Sequence, residues 1–221
     1  MAKFCIHCGR KLNEGEVCTC QANVQNGNIG NDLASIIKGI FVKPVDTIKK
    51  YTNEKYFNLS LILILVFGLA GALFVISLLK NVVDLSYGMM YYAYGNNISY
   101  LKLFFISLIE MIIFVFGYIG LLYLVNSVIF KGEKNFKKVF SMYAVTSVIS
   151  TSGLLISAIL MFVNVVLGVI VFSLASALNM LYIYKGLKEL GVSDENKYGY
   201  IYLLTTVFFM IILFVILLIF S

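Results

Sequence analysis

Four cysteines near the start of the chain are the residues whose type and spacing are best suited to chemistry. Cys5 and Cys8 form a CxxCG segment, and Cys18 and Cys20 form a CxC pair after nine intervening residues. Glycine after the second cysteine permits the backbone turn that presents two thiolates to one metal. Because four thiolates fill the tetrahedral shell of structural zinc, the spacing predicts a Zn²⁺ site made by Cys5, Cys8, Cys18 and Cys20.

Other uses of these thiols fit the sequence less well than zinc does. Two disulfides conflict with a cytosolic placement, and a redox CxxC needs a βαβ context that is absent here; iron is a further alternative. His7 lies inside the first knuckle and is expected to point away from the metal. Four protein ligands leave no position for an activated water, so the metal is predicted to be structural rather than catalytic.

The rest of the chain has the composition of a membrane protein. Hydrophobic residues make up 61% of the sequence and charged residues only 13%, about half the share of an average soluble domain. The apolar residues gather in blocks long enough to cross a bilayer, which predicts an all-α integral membrane protein with five transmembrane helices and a small N-terminal zinc-ribbon module. The predicted spans are residues 57–79, 103–130, 139–161, 165–184 and 200–220.

The third and fourth spans are separated on length alone. Residues 139–184 contain no charged side chain, and one helix of that length would measure roughly 69 Å, more than twice the hydrocarbon thickness. A reversal is therefore expected near Phe162–Asn164. Before the first span we expect three further units: a zinc-ribbon module at 1–20, a flexible linker at 21–31 and an amphipathic juxtamembrane segment at 32–56.

Basic residues predict the orientation of the spans. Eight precede the first span, four lie at 131–138 and three at 185–197, whereas only Lys80 and Lys102 fall on the other side. This bias predicts a multi-pass protein of the cell membrane with a cytoplasmic N-terminus and an external C-terminus. Topology thus accounts for the net charge of +6, and no nucleic-acid partner is expected. With no cleavable signal peptide at the start of the sequence, the first span is expected to direct insertion.

The juxtamembrane segment has helical periodicity. Leu33, Ile36, Ile37, Ile40 and Phe41 share one helical face, and Pro44 is expected to end that helix before a second short one. Two placements fit equally: an interfacial segment on an anionic leaflet, or a cytosolic helix packed on the membrane domain.

Glu110 is the one acidic or basic residue well inside a predicted span, where a charge is costly. It indicates either an ion or proton relay or a carboxyl that bonds two helices together, through Asn126, Asn179 or the hydroxyls of the third span. Those hydroxyls belong to Ser141, Thr146, Ser147, Ser150, Thr151, Ser152 and Ser157. Close helix packing explains them, together with Gly68, Ala72, Gly117 and Gly120 in the earlier spans, better than a permeation path does.

The layout resembles bacterial zinc-ribbon members of the Yip family, five-span proteins named for interaction with Rab-type GTPases. The resemblance rests on the knuckle at Cys5–Gly9, the segment FVKPVDTI at 41–48 and the KGLK stretch at 185–188. It implies the five-span architecture; the CxC pair departs from the usual ribbon. The eukaryotic members' role in vesicle trafficking and their GTPase partner are not carried over to this chain.

These observations predict a non-enzymatic membrane adaptor or organiser, whose zinc module contacts a protein partner and whose bundle could self-associate. No paired carboxylates, activated nucleophile or open metal site marks an enzyme. The alternative is a small transporter or channel that uses Glu110 and the hydroxyl-rich third span.

Overall fold

A computed structural model describes residues 3–4, 11–12, 29–85, 99–192 and 194–220, which form two short strands and a helical bundle. The strands are β1 (Lys3–Phe4) and β2 (Lys11–Leu12), and they pair antiparallel. The helices are α1 (Ile29–Val42), α2 (Pro44–Tyr51), α3 (Phe57–Leu85), α4 (Tyr100–Leu124), α5 (Phe136–Thr146), α6 (Val148–Met161), α7 (Val165–Leu187) and α8 (Asn196–Phe220).

Five helical segments are long and apolar enough to cross a membrane, as the sequence predicted. They run over Glu54–Asn81, Tyr100–Ile129, Phe136–Met161, Val165–Leu190 and Asn196–Ile216. The second span closes with a π-helical turn at Val125–Ile129, and α5 and α6 together form the third span. The chain reverses between the third and fourth spans at residues 162–164, where the Asn164 side chain accepts hydrogen bonds from the first amides of α7.

The third span lies at the centre of the bundle. In its most apolar 18-residue window 72% of the residues are buried, compared with 22% in the second span and 11% in the fifth. It packs against the first and fourth spans, while the fifth span packs at the edge against the second and fourth. The second and fifth spans therefore keep wide apolar surfaces that face outward, as helices surrounded by lipid do.

Small residues bring the central helices close together. A Cβ on Gly153 would collide with Ala175 on α7, and one on Gly186 would collide with Met142 on α5. A Cβ on Gly168, near the start of α7, would likewise collide with Met161 at the end of α6. Because lipid chains are as apolar as leucine, helices in a membrane associate mainly through such close van der Waals packing.

One end of the bundle is rich in lysine and aromatic rings. We call it the lysine-rich end; it comprises α1, α2 and residues 130–135, 188–192 and 194–195. Phe140 lies there between the rings of Phe57 and Phe116, at centroid distances of 5.1 and 5.4 Å. Lys137 lies 5.7 Å from the Phe57 ring centroid, so the ammonium stays near water while the ring packs inward.

Replacement of Gly153 by alanine tests the close contact between the third and fourth spans. Its new methyl group would meet Ala175, which has no flexible side chain to move aside, so the free energy of unfolding should fall by about 1 to 3 kcal/mol. Gly199→Ala is the matched control because nothing lies within 4 Å of its Cβ position, and alanine favours helix. Unfolding of the purified protein in detergent measures both variants. Equal stabilities would contradict the packing described here.

Candidate functional site

The four predicted zinc ligands, Cys5, Cys8, Cys18 and Cys20, lie outside the described residues, as does His7. The structure does describe the strands on either side of the first knuckle. Lys3 pairs with Leu12 and Phe4 pairs with Lys11, so both ends of the CxxCG segment join paired strands. Among the described residues, no group of three or more histidine, cysteine or acidic side chains could hold a metal.

Helices α1 and α2 form a tight helical hairpin at the lysine-rich end. Lys43 separates them, and Pro44 occupies the first turn of α2, where its missing amide hydrogen is not needed. Gly39 faces Thr47, and a Cβ at position 39 would collide with the Thr47 hydroxyl. That hydroxyl donates to the Lys43 carbonyl at 2.8 Å, which holds it against α1.

Tyr51 links the two far ends of this hairpin. Its ring is buried, and its hydroxyl donates to an Asp32 carboxylate oxygen at 3.1 Å. Lys50 donates in turn to the Tyr51 hydroxyl at 3.0 Å, which holds the pKa of Lys50 above its ordinary value. The hairpin therefore closes through a chain of Asp32, Tyr51 and Lys50, and Lys50 remains a cation.

The hairpin packs on the bundle and also carries apolar side chains outward. Ile36 and Ile40 are fully buried in the main core, and Tyr182 on α7 donates to the Ile40 carbonyl at 3.2 Å. Ile37 and Phe41, predicted on the same face, remain about half exposed. Packing on the membrane domain is thus observed, while the exposed apolar residues leave surface for contact with lipid.

A lysine-lined cavity of about 350 Å³ lies between the two helices. Lys38, Lys43 and Lys50 line it together with Asp46. Three ammonium groups around one carboxylate give a cationic surface that can attract the phosphates of anionic lipids, at roughly 1 kcal/mol per lysine near a membrane surface.

A folded loop joins the second and third spans at the same end. Asn126 is fully buried, and its amide donates to the Glu133 carbonyl at 3.3 Å. The backbone turns at Lys131, which has a φ of 55°, and Gly132 packs so closely that a Cβ would collide with the Asn126 side chain. Glu133 accepts hydrogen bonds from Lys138 at 2.8 Å and from the Asn135 amide at 3.0 Å. The loop is thus tied to Asn126 at the end of the second span and to Lys138 at the start of the third.

Glu110 does not reach the partners that the sequence suggested. The Asn126 side chain is hydrogen-bonded to the loop between the second and third spans. The Glu110 side chain is exposed on the outer surface of α4. Within the part of the chain that the structure describes, Glu110 has no hydrogen bond or salt bridge.

The hydroxyls of the third span are mostly bonded within their own helix. Thr146, Ser147 and Thr151 donate to carbonyls three or four residues earlier. Such bonds compete with the backbone ladder, and the helix is interrupted at Ser147, between α5 and α6. Ser157 reaches across to the Gly168 carbonyl of α7 and so binds two spans together. These bonds serve helix packing.

A small cavity of about 270 Å³ lies among the spans. Ser150, Ser176 and Asn179 line it with apolar neighbours that include Phe67 and Met111. The Asn179 side-chain oxygen is buried without a hydrogen-bond partner among the described residues. Glu110 does not line this cavity, so the carboxyl and the hydroxyls that the sequence singled out are not brought together.

The sequence reasoning missed two positioning residues, Gly39 and Gly132, and suggested a different role for Asn126. Gly39 and Gly132 each allow a close approach, and Asn126 fixes a loop rather than a helix pair. A glycine in the middle of an amphipathic helix is the one signal that points to Gly39, because glycine there otherwise costs about 1 kcal/mol. No comparable signal marks Asn126, since a lone asparagine near the end of a span has many uses.

The ion pair of Glu133 and Lys138 makes a pH-dependent contribution to stability. The hydrogen bond from Lys138 lowers the pKa of Glu133, so the stabilisation is present above the ordinary glutamate pKa of about 4.3 and is lost as pH falls through the lower folded value. Glu133→Gln should cost roughly 0.5 to 1 kcal/mol at pH 7 and almost nothing at pH 3.

Thermal unfolding in detergent at both pH values checks this expectation. Glu195→Gln is the control, because Glu195 pairs with Lys188 at 3.0 Å but both side chains are more than half exposed. A Glu133→Gln cost that is the same at pH 3 and pH 7 would contradict the assigned interaction.

Comparison with known proteins identifies the membrane domain. The family model of the Yip1 domain matches residues 38–217, from the lysine-lined part of α1 through the fifth span. No curated protein and no solved structure gives a match. The matched region contains the end of α1, all of α2 and all five spans, and it covers most of the chain. The chain therefore belongs to the Yip1 domain family.

Proposed function

We propose that this multi-pass Yip1-domain protein is a non-enzymatic membrane adaptor. In this proposal the five-helix bundle anchors a structural zinc module and a basic hairpin on the cytoplasmic side of the cell membrane, where the zinc module binds a protein partner. Cys5, Cys8, Cys18 and Cys20 bind the zinc, and the bundle supplies anchorage rather than catalysis.

The observation that carries the proposal is the pairing of β1 with β2 around the first cysteine pair. Two strands of two residues each cannot be stable alone, because an isolated hairpin is marginal even when it is longer. A module of about twenty residues also lacks enough core to fold without a cross-link or a metal. The thiols of Cys5 and Cys8 sit next to these strands in the sequence, so bound zinc would supply the missing stability.

The bundle itself supports anchorage over transport. A permeation path needs polar groups that face a common interior, but Glu110 faces outward and most third-span hydroxyls bond their own helix. The cavity beside Asn179 is small and has mainly apolar walls. Helix packing accounts for the hydroxyls, which leaves the N-terminal module and the basic hairpin as the surfaces available to partners.

The orientation is tested with fusions of a reporter that is active only outside the cytoplasm. A fusion after Ser221 should be active, whereas a fusion after Val192, between the fourth and fifth spans, should be inactive. Residues 188–192 lie at the lysine-rich end, and the bias of basic residues predicts that this end faces the cytoplasm. A fluorescent protein that folds only in the cytoplasm should give the reverse pattern. Activity of the Val192 fusion would refute the proposed orientation.

The zinc module is tested with the full chain purified in detergent and assayed for bound metal. Wild-type protein should contain one zinc per chain, and the double variant Cys5→Ser with Cys8→Ser should lose it, because two of four thiolates are removed. His7→Ala is the matched control, since it changes a residue of the same knuckle that is not a predicted ligand. Zinc retained by the double variant, or lost only in His7→Ala, would refute the assigned ligands.

The same three proteins then test the adaptor role by crosslinking in native membranes. A partner that crosslinks to the wild-type chain and to His7→Ala should be lost from the double variant, while all three insert with the same topology. A solute or ion flux in proteoliposomes that Glu110→Gln abolishes would instead favour transport.

A further inference from the structure

The lysine-lined cavity between α1 and α2 has the charge of a site for a phosphate group. Lys38 lies on α1, Lys43 at the joint between the helices and Lys50 on α2. Asp46 adds one carboxylate, so the described lining carries two net positive charges. Three parts of the hairpin thus bring ammonium groups to one space of about 350 Å³.

Two of these ammonium groups are available to an anion. The Tyr51 hydroxyl accepts a hydrogen bond from Lys50, which holds that cation in place at the edge of the cavity. The side chains of Lys38 and Lys43 have no hydrogen bond or salt bridge within the described chain, not even to Asp46. Their donors therefore remain open to a ligand.

Both helices of the hairpin contact the end of the fourth span, which sets their depth in the membrane. The Tyr182 hydroxyl donates to the Ile40 carbonyl of α1 at 3.2 Å. Val45 of α2 lines a second cavity, of about 370 Å³, together with Tyr184 and Lys185. These three α7 residues lie within its last two turns. Tyrosines and a lysine at the end of a span mark the level where hydrocarbon gives way to headgroups, so the hairpin lies at headgroup level.

Large apolar side chains are exposed beside the lysines. Ile37 and Phe41 on α1 are 50% and 54% exposed, and Val42, which also lines the cavity, is 65% exposed. A free phosphate ion would neutralise the lysines but leave these side chains in water. A phospholipid supplies a phosphate for the lysines and acyl chains for the apolar residues, as amphipathic helices at membrane surfaces require.

We propose that the lysine-lined cavity binds the headgroup phosphate of an anionic phospholipid whose acyl chains cover Phe41. Lys38 and Lys43 donate to the phosphate oxygens, and Lys50 adds its charge. A zwitterionic lipid would bring its own cation towards the lysines, so the site selects an anionic headgroup. This site needs only the hairpin and the fourth span, so it stands or falls separately from the zinc module.

Fluorescence quenching in reconstituted vesicles tests the site with the full chain. The sequence contains no tryptophan, so Phe41→Trp introduces a single fluorescent probe beside the cavity. The vesicles contain phosphatidylcholine and phosphatidylglycerol in equal amounts, with bromine on the acyl chains of one lipid or the other. Bromine on phosphatidylglycerol should quench the probe more strongly, with a preference of about 5- to 25-fold, because two net positive charges contribute about fivefold each.

A second probe position separates the site from the bulk membrane. Phe208→Trp, at an exposed position of the fifth span, should show no preference between the two brominated lipids. Equal quenching by the two lipids at position 41, no quenching there by either, or the same preference at both positions would overturn the proposal.

Removal of the cavity lysines should abolish the preference. In the Phe41→Trp chain, Lys38→Gln with Lys43→Gln should bring it close to one. Lys49→Gln with Lys134→Gln is the matched control, because it removes two exposed lysines at the same end that do not line the cavity. The control should keep the preference. A loss in both double variants would indicate attraction by the whole surface and would refute the assigned site.

Asp46→Asn tests the cavity in the opposite direction. Loss of its carboxylate should raise the preference by about fivefold, whereas Glu189→Gln, at the same end but outside the cavity, should leave it unchanged. Inorganic phosphate, at an ionic strength matched with sodium chloride, should not displace the brominated lipid. An unchanged preference in Asp46→Asn, or displacement by inorganic phosphate, would overturn the assignment to a lipid.

Discussion

The absence of water from the bilayer core is the constraint on which the rest of this structure depends. Helices in lipid gain little from burying apolar side chains against one another, because the lipid chains they leave are equally apolar. Contact must therefore come from close fit, and the central helices achieve it where glycine meets a neighbour, at Gly153 against Ala175 and at Gly186 against Met142. Both contacts join the third span to the fourth, and the third span also packs against the first, which makes it the most buried of the five.

The same constraint decides how polar side chains are used. Threonine and serine in the third span bond carbonyls of their own helix, so they add polarity without exposing a free donor to lipid. Asn126 lies near the end of its span and ties the following loop to the bundle. Glu110 is an exception, since it has no such bond in the described chain and faces outward, and the buried Ser141 hydroxyl and Asn179 side-chain oxygen also have no partner there.

Sequence reasoning succeeded where a feature depends on length or composition. Five spans, the reversal needed between residues 139 and 184, and the end of α1 before Pro44 all follow from the reach of a helix and from missing amide hydrogens. The sequence did not predict which way a side chain within a span faces. A span that is apolar on all sides carries no periodic signal to distinguish inside from outside, so Gly117 and Gly153 look alike in sequence although only Gly153 meets a neighbouring helix closely.

Under the proposed function the two parts of the chain are stabilised by different means, a separation that suits an adaptor. The bundle depends on packing that extends over five spans, whereas the proposed zinc module is too small for a core and depends on its metal. The module can therefore fold or unfold with metal supply while its membrane anchor stays intact.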